Sequence, residues 1–144
     1  MPKRIVIASD HAGFDLKQKL MDHLVSKGIA VLDLGTDGPA SVDYPDQAHQ
    51  LAEEVAQGRQ DLGLLLCGSG NGVNIVANKH RGVRSALAWL PEVASLARAH
   101  NDANVLAVPA RFVSEEEAKR IVDAFLGSMF EGGRHQRRVE KIEQ

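Results

Sequence analysis

Apolar positions along this chain alternate between two rhythms. Short continuous runs, "RIVIAS" (4–9), "AVLDLG" (30–35), "LGLLLC" (62–67), "RSALAW" (84–89) and "NVLAV" (104–108), read as strands, the first of them buried. Between them the spacing turns helical. Leu16, Leu20, Met21, Leu24 and Val25 share one helix face, and Gly28 ends that helix. Asp46 is expected to cap a helix carrying Ala48, Leu51, Ala52, Val55 and Ala56. Residues 72–79 form a helix opening from a glycine loop, and Pro91 to His100 another, with Pro91 in its first turn. The stretch "SEEEAKRIVDAFLG" opens with a capping box, Ser114 with Glu117, and buries Ile121, Val122, Phe125 and Leu126.

Five strands alternating with five helices predict an α/β fold: a parallel sheet covered on both faces. In such sheets ligands sit beyond the C-terminal ends of the strands. That rule gathers "SDHAG", the 36–46 loop, "CGSGNG" and the Trp89–Pro91 turn at one edge. No repeat or low-complexity linker divides the chain, so 1–144 is expected to be one domain. Its tail, 128–144, has few apolar residues with which to dock on its own sheet, and is expected to reach a partner subunit.

Composition narrows the field. Apolar residues are 44% and charged residues 25%, as in ordinary globular proteins. Seventeen basic against nineteen acidic residues argue against general nucleic-acid binding; only the C-terminal end is locally basic. No apolar run approaches the roughly 20 residues of a membrane span, and "MPKRIVIAS" has no signal-peptide pattern. One cysteine makes no internal disulfide, so a cytoplasmic location is expected.

The loop "CGSGNG" (67–72) is where the chemistry concentrates. It is not a dinucleotide fingerprint, because Val73 stands where glycine or alanine is needed. It is not a phosphate-binding P-loop, because the nearest lysine is Lys79, nor a nucleophile elbow, because Cys67 takes the place of its first glycine. The six histidines are scattered without zinc-ligand spacing, so no metal is expected. What remains is a thiol at a strand end, followed by backbone N–H groups opening a helix. Those groups favour negative charge: they can favour the thiolate of Cys67, and they can hold an oxyanion. This suits removal of a proton from carbon beside a carbonyl, and equally nucleophilic attack on an acyl group. A buried structural cysteine is the third possibility.

The set "SDHAG", "DYP", "CGSGNG", "ANK", "HNDAN" and "EGGRHQRRV" resembles the family of ribose-5-phosphate isomerase B and the galactose-6-phosphate isomerase subunits, from residue 4 to about 140. The resemblance implies a Rossmann-like α/β/α sandwich, a homodimer or dimer of dimers with shared active sites, and no metal or organic cofactor. It implies interconversion of an aldose phosphate and a ketose phosphate, for the ribose enzyme ribose 5-phosphate and ribulose 5-phosphate of the pentose phosphate pathway. Cys67 matches the family's catalytic base. Members lacking this cysteine use a glutamate where Val73 stands, so the chain resembles the cysteine type. Ser69 and the amides of Gly68, Gly70, Asn71 and Gly72 would hold the enediolate oxygens. His100 matches the ring-opening acid/base, with Asp10 as helper, and Asn101 a sugar-hydroxyl contact. His11, Arg111, Arg134 and Arg138 match the phosphate-binding set, and Tyr44 lines the pocket.

Physical chemistry fits these roles. A closed sugar ring has no carbonyl, so a group that moves protons near neutrality must open it, and histidine does so naturally. Arg134 and Arg138 project from one helix face as paired phosphate ligands, and a remote phosphate clamp orients the reacting carbons. His23, His49, His80 and His135 read as surface positions, Trp89 as core or interface packing, and Asp33 has no role visible in sequence. Three alternatives stay open: a hexose-phosphate isomerase, a thiol hydrolase using Cys67 and His100, and a non-catalytic phosphosugar-binding module.

Overall fold

Every residue of the run 62–67 is buried, and that run is the centre of the sheet. The computed structural model describes residues 3–143. Its strands are β1 (Ile5–Ser9), β2 (Val31–Asp33), β3 (Leu62–Cys67), β4 (Ser85–Leu87) and β5 (Val105–Pro109), all parallel, in the order β2-β1-β3-β5-β4. The helices are α1 (Phe14–Ser26), α2 (Tyr44–Ala56), α3 (Asn71–Ala77), α4 (Pro91–Asn101), α5 (Glu115–Leu126) and α6 (Arg134–Glu140). The architecture is a Rossmann-like three-layer sandwich. Ile5, Ile7, Leu64, Leu66 and Leu106 point to a core built with α1, α4 and α5. Val6, Ala8, Leu65, Cys67 and Val105 point to the other, built with α2 and α3. The apolar runs are continuous because both faces are covered.

The edge strands β2 and β4 are three residues each, shorter than their apolar runs. Each pairs on one side only, so fewer of its residues are held in the ladder. α2 begins at Tyr44, and Asp46 is not its cap: Pro45 sits in the first turn, where its fixed φ suits a helix start. Asp46 falls inside that turn, where its charge still complements the helix dipole. Ala56, at the end of α2, is exposed. Val25 is 65% exposed, not part of the buried face of α1. Gly28, at φ +78°, turns the chain there. Its N–H donates to Val25 O at 2.9 Å, and Ile29 N–H donates to Leu24 O at 2.9 Å, so Ile29 packs on the core in place of Val25. The Ser114–Glu117 capping box is present with both its bonds.

Lys17 on α1 is wholly buried, and Asp33 at the end of β2 explains it. Lys17 Nζ donates to Asp33 Oδ1 at 2.6 Å and stands 5.5 Å over the Phe14 ring. Asp33 Oδ1 also accepts the Gly35 N–H at 2.9 Å. Gly35 O accepts Ser9 N–H at 2.7 Å, and Thr36 N–H donates to Ser9 O at 2.8 Å. The ion pair therefore anchors the loop after β2 against the end of β1, at the sheet edge that carries Asp10 and His11.

Candidate active site

Cys67 ends β3 opposite Pro109, the last residue of β5. The loop beyond it is shaped by its glycines. Gly70 has φ +77°, a left-handed conformation that side chains rarely adopt, and a Cβ there would lie 2.5 Å from Leu87 Cδ1 and 3.2 Å from Pro109 N. Cys67 O accepts Ala110 N–H and Gly68 O accepts Arg111 N–H, both at 2.9 Å, tying the loop to the turn after β5. Arg111 lies across Gly68, where an added Cβ would be 3.0 Å from its Nη1. Ser69 Oγ accepts the Asn71 N–H at 3.2 Å.

Together these groups wall a cavity of about 620 Å³, lined by Asp10, His11, Ala12, Tyr44, Cys67, Gly68, Ser69, Gly72, Arg111 and Phe112. Cys67 packs among apolar chains and is only 5% exposed, yet it contributes to this wall. Asp10 is buried and caps the 3₁₀ turn His11–Gly13, its Oδ1 accepting Gly13 N–H at 3.1 Å. Val42 N–H donates to His11 Nδ1 at 3.2 Å, which leaves Nε2 to carry the proton of the neutral ring. Arg111 makes no salt bridge among the described residues, and it lines the same cavity as the buried Asp10. A second cavity, about 650 Å³, lies at the opposite end of β1 and β2; no carboxylate, imidazole or thiol lines it.

The other predicted residues lie elsewhere. α4 starts beyond the C-terminal end of β4 and runs back, so His100 and Asn101 lie near the start of β5. A strand of five residues spans about 16 Å, and that length separates them from the end of the sheet where Cys67 lies. There the tail finds a berth on its own chain, which its composition does not show: Glu131 N–H donates to Ala99 O at 2.9 Å. Glu143 Oε1 also accepts the Gly82 N–H at 2.7 Å. His135 is not solvent-facing. Its side chain is 12% exposed and its ring stacks on His100, centroids 4.2 Å apart and planes 12° from parallel. Burial, then the nearby His100, Arg134 and Arg138 charges, hold its pKa below the ordinary histidine value, against the opposing pull of Glu131. Arg134 and Arg138 stand on α6, and no described carboxylate pairs with them.

The family model for ribose/galactose isomerases matches residues 5–142. The ribose-5-phosphate isomerase B of Escherichia coli is 50% identical over 140 residues, which cover 97% of this chain and 94% of that one. The chain belongs to the ribose/galactose isomerase family. Among solved structures, a ribose 5-phosphate isomerase from Thermotoga maritima superposes with a TM-score of 0.96 at 50% identity, covering 98% of this chain and 97% of that one. The Mycoplasma genitalium ribose-5-phosphate isomerase B, with bound ribulose 5-phosphate, gives 0.92 at 49% identity, covering 96% and 93%.

Of the residues matched to this isomerase family, the cavity gathers Cys67, Asp10, His11, Tyr44, Gly68, Ser69, Gly72 and Arg111. Gly70 and Asn71 shape the loop without lining the cavity, and His100, Asn101, Arg134 and Arg138 form a second group at the far end of α4. Sequence reading missed Phe112, an exposed aromatic on the cavity rim next to Arg111. It also missed Glu131, whose Oε1 lies 3.6 Å from Nε2 of both His100 and His135. The "scattered" histidines are thus partly clustered. The 31 positions from His100 to Glu131 hide this from any local motif. Trp89 is not a core residue; it is exposed just beyond β4.

Proposed function

We infer that this chain interconverts ribose 5-phosphate and ribulose 5-phosphate through an enediolate. The observation that carries the reading is Cys67, a sulfur in the wall of a cavity that Gly68, Ser69, Gly72, the buried Asp10 carboxylate and the unpaired Arg111 also line. Cys67 breaks the C2–H bond of the opened aldose and returns the proton to C1, while the O2 proton passes to O1. Ser69 and the loop amides hold the oxygens as their charge rises, and such donors contribute most when placed before the reaction. Arg111 and His11 bind the phosphate, and Tyr44 closes the side of the cavity.

His100 opens the ring, and it does so in a partner's cavity. It is too far from Cys67 of its own chain to share one substrate, so each complete site takes Cys67 from one subunit and His100, Asn101, Arg134 and Arg138 from another. The protein is therefore a homodimer or a dimer of dimers, a single domain over 1–144, whose 128–144 segment serves the neighbouring subunit. A reducing, cytoplasmic setting suits the free thiol.

The test is proton NMR in deuterated water. Wild type exchanges C2 hydrogen of ribose 5-phosphate and forms ribulose 5-phosphate; Cys67→Ala, still folded by circular dichroism, does neither. Full exchange in Cys67→Ala would reject the base, and exchange of allose or galactose 6-phosphate at higher kcat/KM would shift the substrate to a hexose phosphate. Ribulose 5-phosphate has no ring to open, so His100→Gln keeps exchange of its C1 hydrogens while consumption of ribose 5-phosphate stops.

A further inference from the structure

Asp102 is the one residue other than glycine with a left-handed backbone among the described residues, at φ 49° and ψ 41°. It closes α4 directly after His100 and Asn101. Glycine adopts that conformation at less cost, so an aspartate there points to a task for its side chain. Its carboxylate bridges two arginines: Oδ1 accepts from Arg98 Nη1 at 3.1 Å and Oδ2 from Arg84 Nη2 at 3.3 Å. Its carbonyl oxygen accepts from Arg84 Nε at 2.7 Å. Arg98 is buried on α4; its Nη1 also donates to Ala103 O at 2.7 Å, and its Nε has no partner among the described residues. Arg84 stands just before β4, where its N–H donates to Asn104 Oδ1 at 2.8 Å and its carbonyl oxygen accepts the Asn104 N–H at 2.9 Å. Asn104 stands just before β5, so the Asp102 carboxylate ties the last turn of α4 to the start of two strands.

We propose that Asp102 is a positioning residue for ring opening: by joining Arg98 to Arg84 it fixes the last turn of α4, and so the direction in which His100 leaves the helix. This rests on the ring-opening role given to His100 above. Helix ends fray, and a group at the last turn is the hardest to hold still. Neither His100 nor Asn101 makes a side-chain hydrogen bond to a described residue; His100 rests on the His135 ring by stacking alone and lies 3.6 Å from Glu131. Their aim therefore depends on the backbone beneath them. Proton transfer needs heavy atoms about 2.6–3.2 Å apart, and a misplacement of about 1 Å costs roughly a hundredfold in rate. Without the carboxylate, the buried Arg98 guanidinium loses its counter-charge and faces Arg84, so the turn between them relaxes.

The experiment compares two full-length variants with wild type. Asp102→Gly takes the left-handed backbone without strain but lacks the carboxylate. Arg84→Gln removes the hold on the strands and leaves the Asp102–Arg98 pair intact, so it stays informative where the first variant folds poorly. In each folded variant, kcat for ribose 5-phosphate should fall about tenfold or more. C1-hydrogen exchange of ribulose 5-phosphate, which needs no ring opening, should fall less than about threefold. Proton NMR should show weaker contacts between the His100 and His135 rings. A merely structural residue would lower both reactions alike, through loss of folded protein. Wild-type turnover of ribose 5-phosphate in folded Asp102→Gly, equal losses in the two reactions, or unchanged ring contacts would overturn the proposal. Failure of the functional reading has a different signature: a His100→Gln variant that still consumes ribose 5-phosphate, while the ring contacts still report whether Asp102 fixes the turn.

Discussion

The Tyr44 ring lies against the Cα of Gly72. A methyl group built there would press on Cε1 and come within 2.7 Å of Cζ. Tyr44 is partly exposed, so its ring can swing outward at modest cost to stability. The cavity wall moves with it. Gly72→Ala should leave the urea midpoint almost unchanged and lower kcat/KM by about tenfold or more. Gly13 sets the contrast, because a Cβ there would meet Leu66 Cβ at 2.7 Å and its backbone oxygen at 3.0 Å. Gly13→Ala should cost about 1–3 kcal/mol in stability, since strand backbone cannot step aside.

Two dead variants should revive each other. Cys67→Ser and His100→Gln are each inactive with ribose 5-phosphate, but mixed subunits pair one wild-type Cys67 with one wild-type His100. After co-refolding of equal amounts, half the dimers are mixed and each has one complete site, so activity should return to about a quarter of wild type. Absence of any recovery in verified mixed dimers would sink the shared site.

The buried ion pair is asymmetric. Lys17 is wholly buried, whereas Asp33 is 27% exposed and also holds the Gly35 N–H. Asp33→Ala leaves a buried ammonium without a partner and should cost about 3 kcal/mol. Lys17→Met leaves a carboxylate that water can reach, and should cost clearly less. Urea denaturation of the two variants at neutral pH decides the order.

Acid stability carries a marker at the other end of the sheet. The Arg4 guanidinium, followed by the Arg4 backbone N–H, holds Asp61 down from its usual 3.8 to about 2. A lowered folded-state pKa stabilises above the unfolded value and is lost as pH falls through the folded one. The stability gap between wild type and Arg4→Gln should thus be constant above about pH 5 and close between pH 4 and pH 2. Arg4 is 58% exposed and Asp61 33%, so water screens the pair and the gap stays small. Denaturant melts across that range, at fixed ionic strength, check it.

The strands, the helices and the thiol loop are legible from residues 4 to 127 because their signals are local. A six-residue apolar run, a glycine at φ +78° and a capping box each act within a turn or two of chain. Val25 and Asp46 depart from the local pattern for a local reason too: the Gly28 turn and Pro45 each override it. Lys17 and Asp33 are 16 apart in sequence, and nothing near either announces a buried pair.

The order of elements, the sulfur at the end of the central strand and the backbone that cradles it can be read along the chain, since periodicity and turn chemistry are written residue by residue. Which of the candidate residues share a cavity emerges with the folded chain. A helix that follows a strand runs back along it, so α4 carries His100 to the opposite end of the sheet from Cys67 and brings it against Glu131 and His135. That partition follows from chain direction and packing, and no short stretch of sequence contains it.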